Sequence, residues 1–122
     1  MTSIPRFLLE RLYVKKSLRN IPDGFRLTIQ NTLAPGTIVG FDPLRIDDME
    51  HSLEHTSAVL GDGRRLTANS VSTESPVLFR VGERVVIEVR GEALSVGPHR
   101  ITVSARTREV GLLEISATDT ID

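Results

Sequence analysis

The sequence predicts an all-β fold: a two-sheet antiparallel β-sandwich with short turns and at most one short helix. Three observations carry this. Apolar and polar residues alternate with a period of two, most plainly in Phe25-Leu27-Ile29, Val85-Ile87-Val89 and Ile101-Val103-Ala105. Glycine and proline recur from Pro22 to Gly111 and punctuate these runs, as hairpins require. No long amphipathic helix is available to cover an apolar sheet face, so a second sheet is the natural cover.

The length of 122 residues fits one domain over residues 1–122. Hydrophobic residues at 39% and charged residues at 25% argue against a disordered chain. With 15 basic and 16 acidic residues the net charge is -1, so no overall field favours a nucleic acid. Tyr13 is the only tyrosine and tryptophan is absent, which leaves few platforms for stacking bases or gripping sugars. Near-neutrality tolerates self-association, so a homo-oligomer stays open. The lack of cysteine removes disulfides, thiolate nucleophiles and Cys-ligated metals, and fits a cytoplasmic location. The apolar run Phe7–Tyr13 is too short to span a membrane and lacks the features of a signal peptide.

Residues 3–13 admit two forms. Ser3 suits a helix cap, with Pro5 in the first turn and Phe7, Leu8 and Leu12 on one stripe. Residues 11–20 also fit a strand with Leu12, Val14, Lys16 and Leu18 on one face. The form adopted is a loop or one helical turn, then a strand from about Leu12. Gly24 to Asn31 is a half-buried strand, and Asp23-Gly24 is the hairpin signal that pairs it antiparallel with Lys15–Asn20. Pro35-Gly36 suits a type II turn before a short strand over Thr37–Phe41. A further piece covers Pro43–Asp47, with Leu44 and Ile46 inward. Met49–Leu60 fits either a helical turn or a strand. Asp62-Gly63 marks a hairpin into Arg64–Ala68, and Ser72–Pro76 is a polar loop. Arg84–Arg90, Arg100–Arg106 and Gly111–Thr118 then alternate in succession and are expected to form a meander.

Candidate chemistry is sparse. His51 and His55 share a face in a helix or a strand, with Glu50 and Glu54 nearby, and form a weak metal candidate. Ser52 stands where the zincin arrangement needs glutamate, and a polar loop or edge is the plainer reading. The His99 imidazole suits proton transfer, but no nucleophile or base presents itself as its partner. A strand-start histidine held by its neighbours is the plainer reading there. Among the carboxylates, Asp42, Asp47, Asp48, Glu83 and Glu88 are candidates, yet neighbours such as Asp47 and Asp48 point differently. Gly61-Asp62-Gly63 lacks the Lys-Ser/Thr of a phosphate loop, and no nucleophile elbow occurs. Arg84, Arg90, Arg106 and Arg108 fall in the outward register, on a solvated or a docking face.

Two segments carry a family pattern. Ser17-Leu18-Arg19-Asn20 precedes Asp23-Gly24-Phe25. Gly91-Glu92-Ala93-Leu94 precedes Gly97-Pro98-His99-Arg100-Ile101-Thr102-Val103, with Arg106 or Arg108 at the end of that run. The pattern resembles the small β subunit family of bacterial C-glycoside deglycosidases. It covers both ends of the chain and is loose between about Leu33 and Leu78. The resemblance implies a β-sandwich that associates with a TIM-barrel, sugar isomerase-like catalytic subunit. That partner would hold a divalent metal, manganese or magnesium, and the acid–base residues that cleave a carbon–carbon glycosidic bond. This chain would hold no cofactor. The resemblance marks Ser17, Arg19, Asn20, His99, Arg106 and Arg108 as structural or partner-facing.

The expected function is therefore a non-catalytic accessory subunit of a metal-dependent C-glycoside-cleaving or related sugar-processing complex. Two alternatives stand beside it. One is an independent, homo-oligomeric small-molecule or carbohydrate-binding module, which requires a concave apolar pocket with converging polar groups. A flat apolar patch would instead favour a protein partner. The other is a stand-alone metal-dependent hydrolase or isomerase using His51, His55 or His99.

Overall fold

Runs that alternate between apolar and polar residues become strands where one side can be buried, and the computed structural model, which describes residues 4–122, follows that rule. A helical turn, α1 (Arg6–Glu10), comes first. The strands β1 (Arg19–Ile21), β2 (Gly24–Gln30), β3 (Gly36–Phe41), β4 (Leu44–Ile46), β5 (Met49–His51) and β6 (Thr56–Val59) follow. Then come β7 (Arg65–Thr67), β8 (Val77–Phe79), β9 (Arg84–Arg90), β10 (Gly97–Thr107) and β11 (Gly111–Ile121).

The strands form two antiparallel sheets, as the sequence predicts. One has the order β1-β2-β9-β6-β7. The other is built on β10. Ile101 and Thr102 pair with Ala117 and Ser116 of β11 on one edge and with Ile46 and Arg45 of β4 on the opposite edge. Further along, β10 pairs with β3, while β5 flanks β4 and β8 flanks β3. The sheets close on a core in which Phe25, Leu27, Val89 and Ile101 are almost fully buried. Each such side chain stabilises the fold by about 1.5–3 kcal/mol.

Several expectations are corrected. The last three runs are not a meander: β9 lies in the first sheet and β10 with β11 in the second, so the Gly91–Val96 segment crosses between layers. Alternation alone does not say which sheet a strand joins. The strand from Leu12 is interrupted. Tyr13 bridges to Ile29, and a turn follows in which Ser17 N–H bonds to Val14 carbonyl and Lys16 takes φ 65°. That turn resets the alternation, so Leu12, Tyr13 and Leu18 are all buried. The hairpin at Asp23-Gly24 exists, but Ile21 pairs with Gly24, which places Pro22-Asp23 in the turn and Gly24 in the strand. Residues 49–60 hold β5, a 3-10 turn over Leu53–His55 and β6. Pro5 sits at the α1 cap position, and the suggested cap residue Ser3 lies outside the described residues.

Candidate functional site

The sandwich has two unlike ends. At one, polar side chains fasten loops to the sheets. Asp47 and Asp48 form the two-residue turn between β4 and β5, with φ values of 52° and 68°. Left-handed backbone is tolerated by aspartate better than by most residues, and the paired positive φ values are those of a hairpin turn. The turn aims the Asp47 carboxylate back at β10. Its Oδ1 accepts the Arg100 backbone N–H at 2.8 Å, and its Oδ2 lies 2.6 Å from His99 Nδ1. His99 Nε2 lies 2.7 Å from the Ser95 carbonyl oxygen.

Both partners of the buried His99 ring are acceptors only. Each ring nitrogen must therefore carry a proton, and the imidazolium is the form that fits. The bonds to Ser95 and then to Asp47 raise the His99 pKa above its ordinary value. The Arg100 backbone bond and His99 together depress that of Asp47. With both nitrogens engaged, the ring has no lone pair with which to take a proton from a substrate.

The Asn20 side chain completes the fastening. Its Nδ2 donates to the Leu94 carbonyl at 2.9 Å and its Oδ1 accepts the Leu94 N–H at 2.8 Å. The segment 91–96 is thus held by Asn20 on one side and His99 on the other. Beside it, Tyr13 Oη donates to Asp119 Oδ2 at 2.7 Å, and the Leu18 N–H reaches the same oxygen at 3.2 Å. Burial works to raise the Asp119 pKa. The bonds from Tyr13 and from the backbone at Thr120, Leu18 and Lys16 outweigh it, and the net shift is downward. Burial and the facing carboxylate push the Tyr13 phenol up.

The other marked residues are dispersed. Ser17 Oγ accepts the Thr28 N–H at 3.0 Å, and Arg19 is exposed on β1. Arg106 pairs with Asp42 at 3.2 Å on the outer face of its sheet. The Arg108 N–H bonds to the Thr37 carbonyl in the β10–β11 turn. His51 packs edge-on against Phe25 at a centroid distance of 5.2 Å, and burial lowers its pKa. His55 is exposed on the 3-10 turn. No group of three or more metal-ligating side chains occurs among the described residues. Asp119 was missed from sequence, although an acid in register with inward Ile115, Ala117 and Ile121 is itself a signal that a buried partner exists.

The opposite end is apolar. Between the sheets lies a cavity of about 170 Å³, lined by Leu12, Ile29, Ile38, Val85, Val103 and Ala105 among others. It reaches the surface between Ala34-Pro35 and Val110, where Asn31, Thr107 and Glu109 supply the polar rim. Asn31 is spent locally: Nδ2 donates to the Ala34 and Phe79 carbonyls, and Oδ1 accepts the Leu33 N–H. Glu109 accepts the Thr37 N–H and hydroxyl, each at 2.8 Å, and these bonds depress its pKa. Around the same end Leu78, Val81, Val110 and Leu112 are exposed, Leu78 at 62%. The concave apolar pocket required of a binding module is present, but its rim groups turn to the fold and do not converge on the void.

A family model described as hydroxymethylglutaryl-CoA reductase, N-terminal domain, matches residues 8–122. A search of curated proteins finds no match to the chain. The family match overturns the resemblance to C-glycoside deglycosidase small subunits. The short segments behind that resemblance, around Asn20, Leu94 and His99, serve here to fasten one loop, a task open to many β-sandwiches. The carbohydrate-metabolism reading falls with it, and the barrel partner with its manganese or magnesium loses the resemblance that carried it.

Proposed function

The chain belongs to the hydroxymethylglutaryl-CoA reductase N-terminal domain family, and from that premise we propose that it is a non-catalytic accessory domain that docks on a separate catalytic unit. The family description, an N-terminal domain of a reductase, supports a β-sandwich that stands beside a catalytic part. The observation that carries the reading is the exposed apolar group Leu78, Val81, Val110 and Leu112 at one end of the sandwich. Leu78 pairs across from Thr37, whose carbonyl holds the Arg108 N–H, so β8 and the β10–β11 turn adjoin. Val81 adjoins Gly82, whose N–H bonds to the Asn31 carbonyl at the cavity rim. Four large apolar residues gathered at one end suit the centre of a protein interface better than bulk solvent. The interior polar groups meanwhile are engaged by the fold: among the described residues, no buried side-chain nitrogen or oxygen lacks a partner.

The test is tagged purification from the native source, followed by cross-linking and mass identification. One stoichiometric partner with an enzyme fold is expected, cross-linked near residues 78–81 and 108–112. Val110→Lys with Leu112→Lys should abolish the pairing while leaving the circular dichroism spectrum and Tm unchanged. Recovery of the chain only as a monomer or a homo-oligomer would overturn the reading.

A further inference from the structure

Protein interiors rarely leave voids much larger than a water molecule, so a cavity of about 170 Å³ is conspicuous in a core this small. Water is a poor occupant. It needs several polar partners, and the walls are the side chains of Leu12, Ile29, Ile38, Val85, Val103 and Ala105. No buried side-chain nitrogen or oxygen among the described residues is left unpaired to receive it. A charged molecule is poorer still, since nothing inside would offset its lost hydration. The one ionised group at the mouth, Glu109, is held ionised by Thr37 and would repel a carboxylate.

We infer that this cavity is a binding site for a compact, uncharged apolar molecule about the size of one aromatic ring. A dry apolar cavity of roughly 150 Å³ admits benzene, and the walls here offer the same chemistry. The molecule enters between Ala34-Pro35 and Val110, the exposed part of the lining. Fatty acids are disfavoured by Glu109 at that mouth. The inference concerns the space between the sheets, and of the exposed apolar group only Val110 borders it, at the mouth.

The experiment is a titration of the methyl-labelled chain with benzene and, in parallel, benzoate, followed by NMR and thermal unfolding. Benzene should shift the methyls of Ile29, Ile38, Val85, Val103 and Ile115 and raise Tm by roughly 5 °C at tenfold excess over its Kd. Benzoate should do neither. Ala105→Leu, which fills the void, should weaken benzene binding at least tenfold. If that variant does not fold, Val85→Ile adds one methylene to the wall and should weaken binding several-fold. Absence of methyl shifts with benzene, or undiminished binding in the filled variant, overturns the inference. Shifts of these methyls produced by the docking partner alone would make the cavity a socket for a partner side chain, which also overturns it while leaving docking intact.

Discussion

Asp119 shows how one side chain is held ionised inside the sandwich. Its carboxylate accepts from Tyr13 Oη and the Leu18 N–H, and Oδ1 accepts from the Thr120 N–H at 2.8 Å. Asp119→Ala leaves two buried donors without an acceptor and should cost about 2–3 kcal/mol, whereas Tyr13→Phe removes one donor and should cost about 1–2 kcal/mol. Urea midpoints of the two variants will separate them. His99 makes a different demand, on pH. The folded chain holds a proton on the ring that the unfolded chain has shed, because the Ser95 carbonyl and Asp47 raise its pKa. The carboxylates nearest it are Asp47, on the facing turn, and Asp119, opposite it in register on β11. The stability contributed is full below the unfolded pKa of about 6.5 and is lost as pH rises through the raised folded value. Thermal midpoints should fall as pH rises above about 6.5 in the native chain and fall less in His99→Gln. Asp47, whose pKa is depressed, acts at the acid limit, and its contribution is lost as pH falls through its folded value. The sequence offered His99 as a strand-start residue, which it is. It did not offer the pairing with Asp47, because Asp47 lies in the β4–β5 turn, 52 residues before His99 on β10, and only the turn aims it there.

Gly24 stands in β2 where β9 passes closest. A methyl added there would lie 1.8 Å from the Val89 carbonyl oxygen, so one backbone must move. Gly24→Ala should cost roughly 3 kcal/mol or more, measured as a lowered urea midpoint, with the strain falling on the β2–β9 pairing. From the sequence this glycine looked like a turn residue. Both roles call for the absence of a side chain, and only the register tells them apart. The strands β2, β9 and β10 were legible because Phe25-Leu27-Ile29, Val85-Ile87-Val89 and Ile101-Val103-Ala105 each bury three successive inward residues. Strands of three residues such as β5 and β8 were not, since a run that short contains too few alternations to establish a period. The same limit hid the Asp47-Asp48 turn, which lacks the glycine that usually announces such hairpins.

The sandwich as a whole is fastened by polar side chains at one end and opens on an apolar cavity at the other, and the sequence disclosed neither end. The cavity is a property of what the facing sheets fail to fill, and side-chain patterns within one strand do not record that. The two-layer plan was legible because no other partner for the apolar faces existed. The allotment of strands to layers was not, and it has its own consequence. β9 sits between β2 and β6 in one sheet, and β10 joins β11, β3 and β4 in the other. Each layer is thus organised around a strand from the last third of the chain. On the ribosome, β2 and β3 must wait some sixty residues for the neighbours that complete them, a long loop to close before any reward is collected. Until β10 has emerged, the nascent polypeptide carries unmated ribbons whose open edges invite the wrong neighbour.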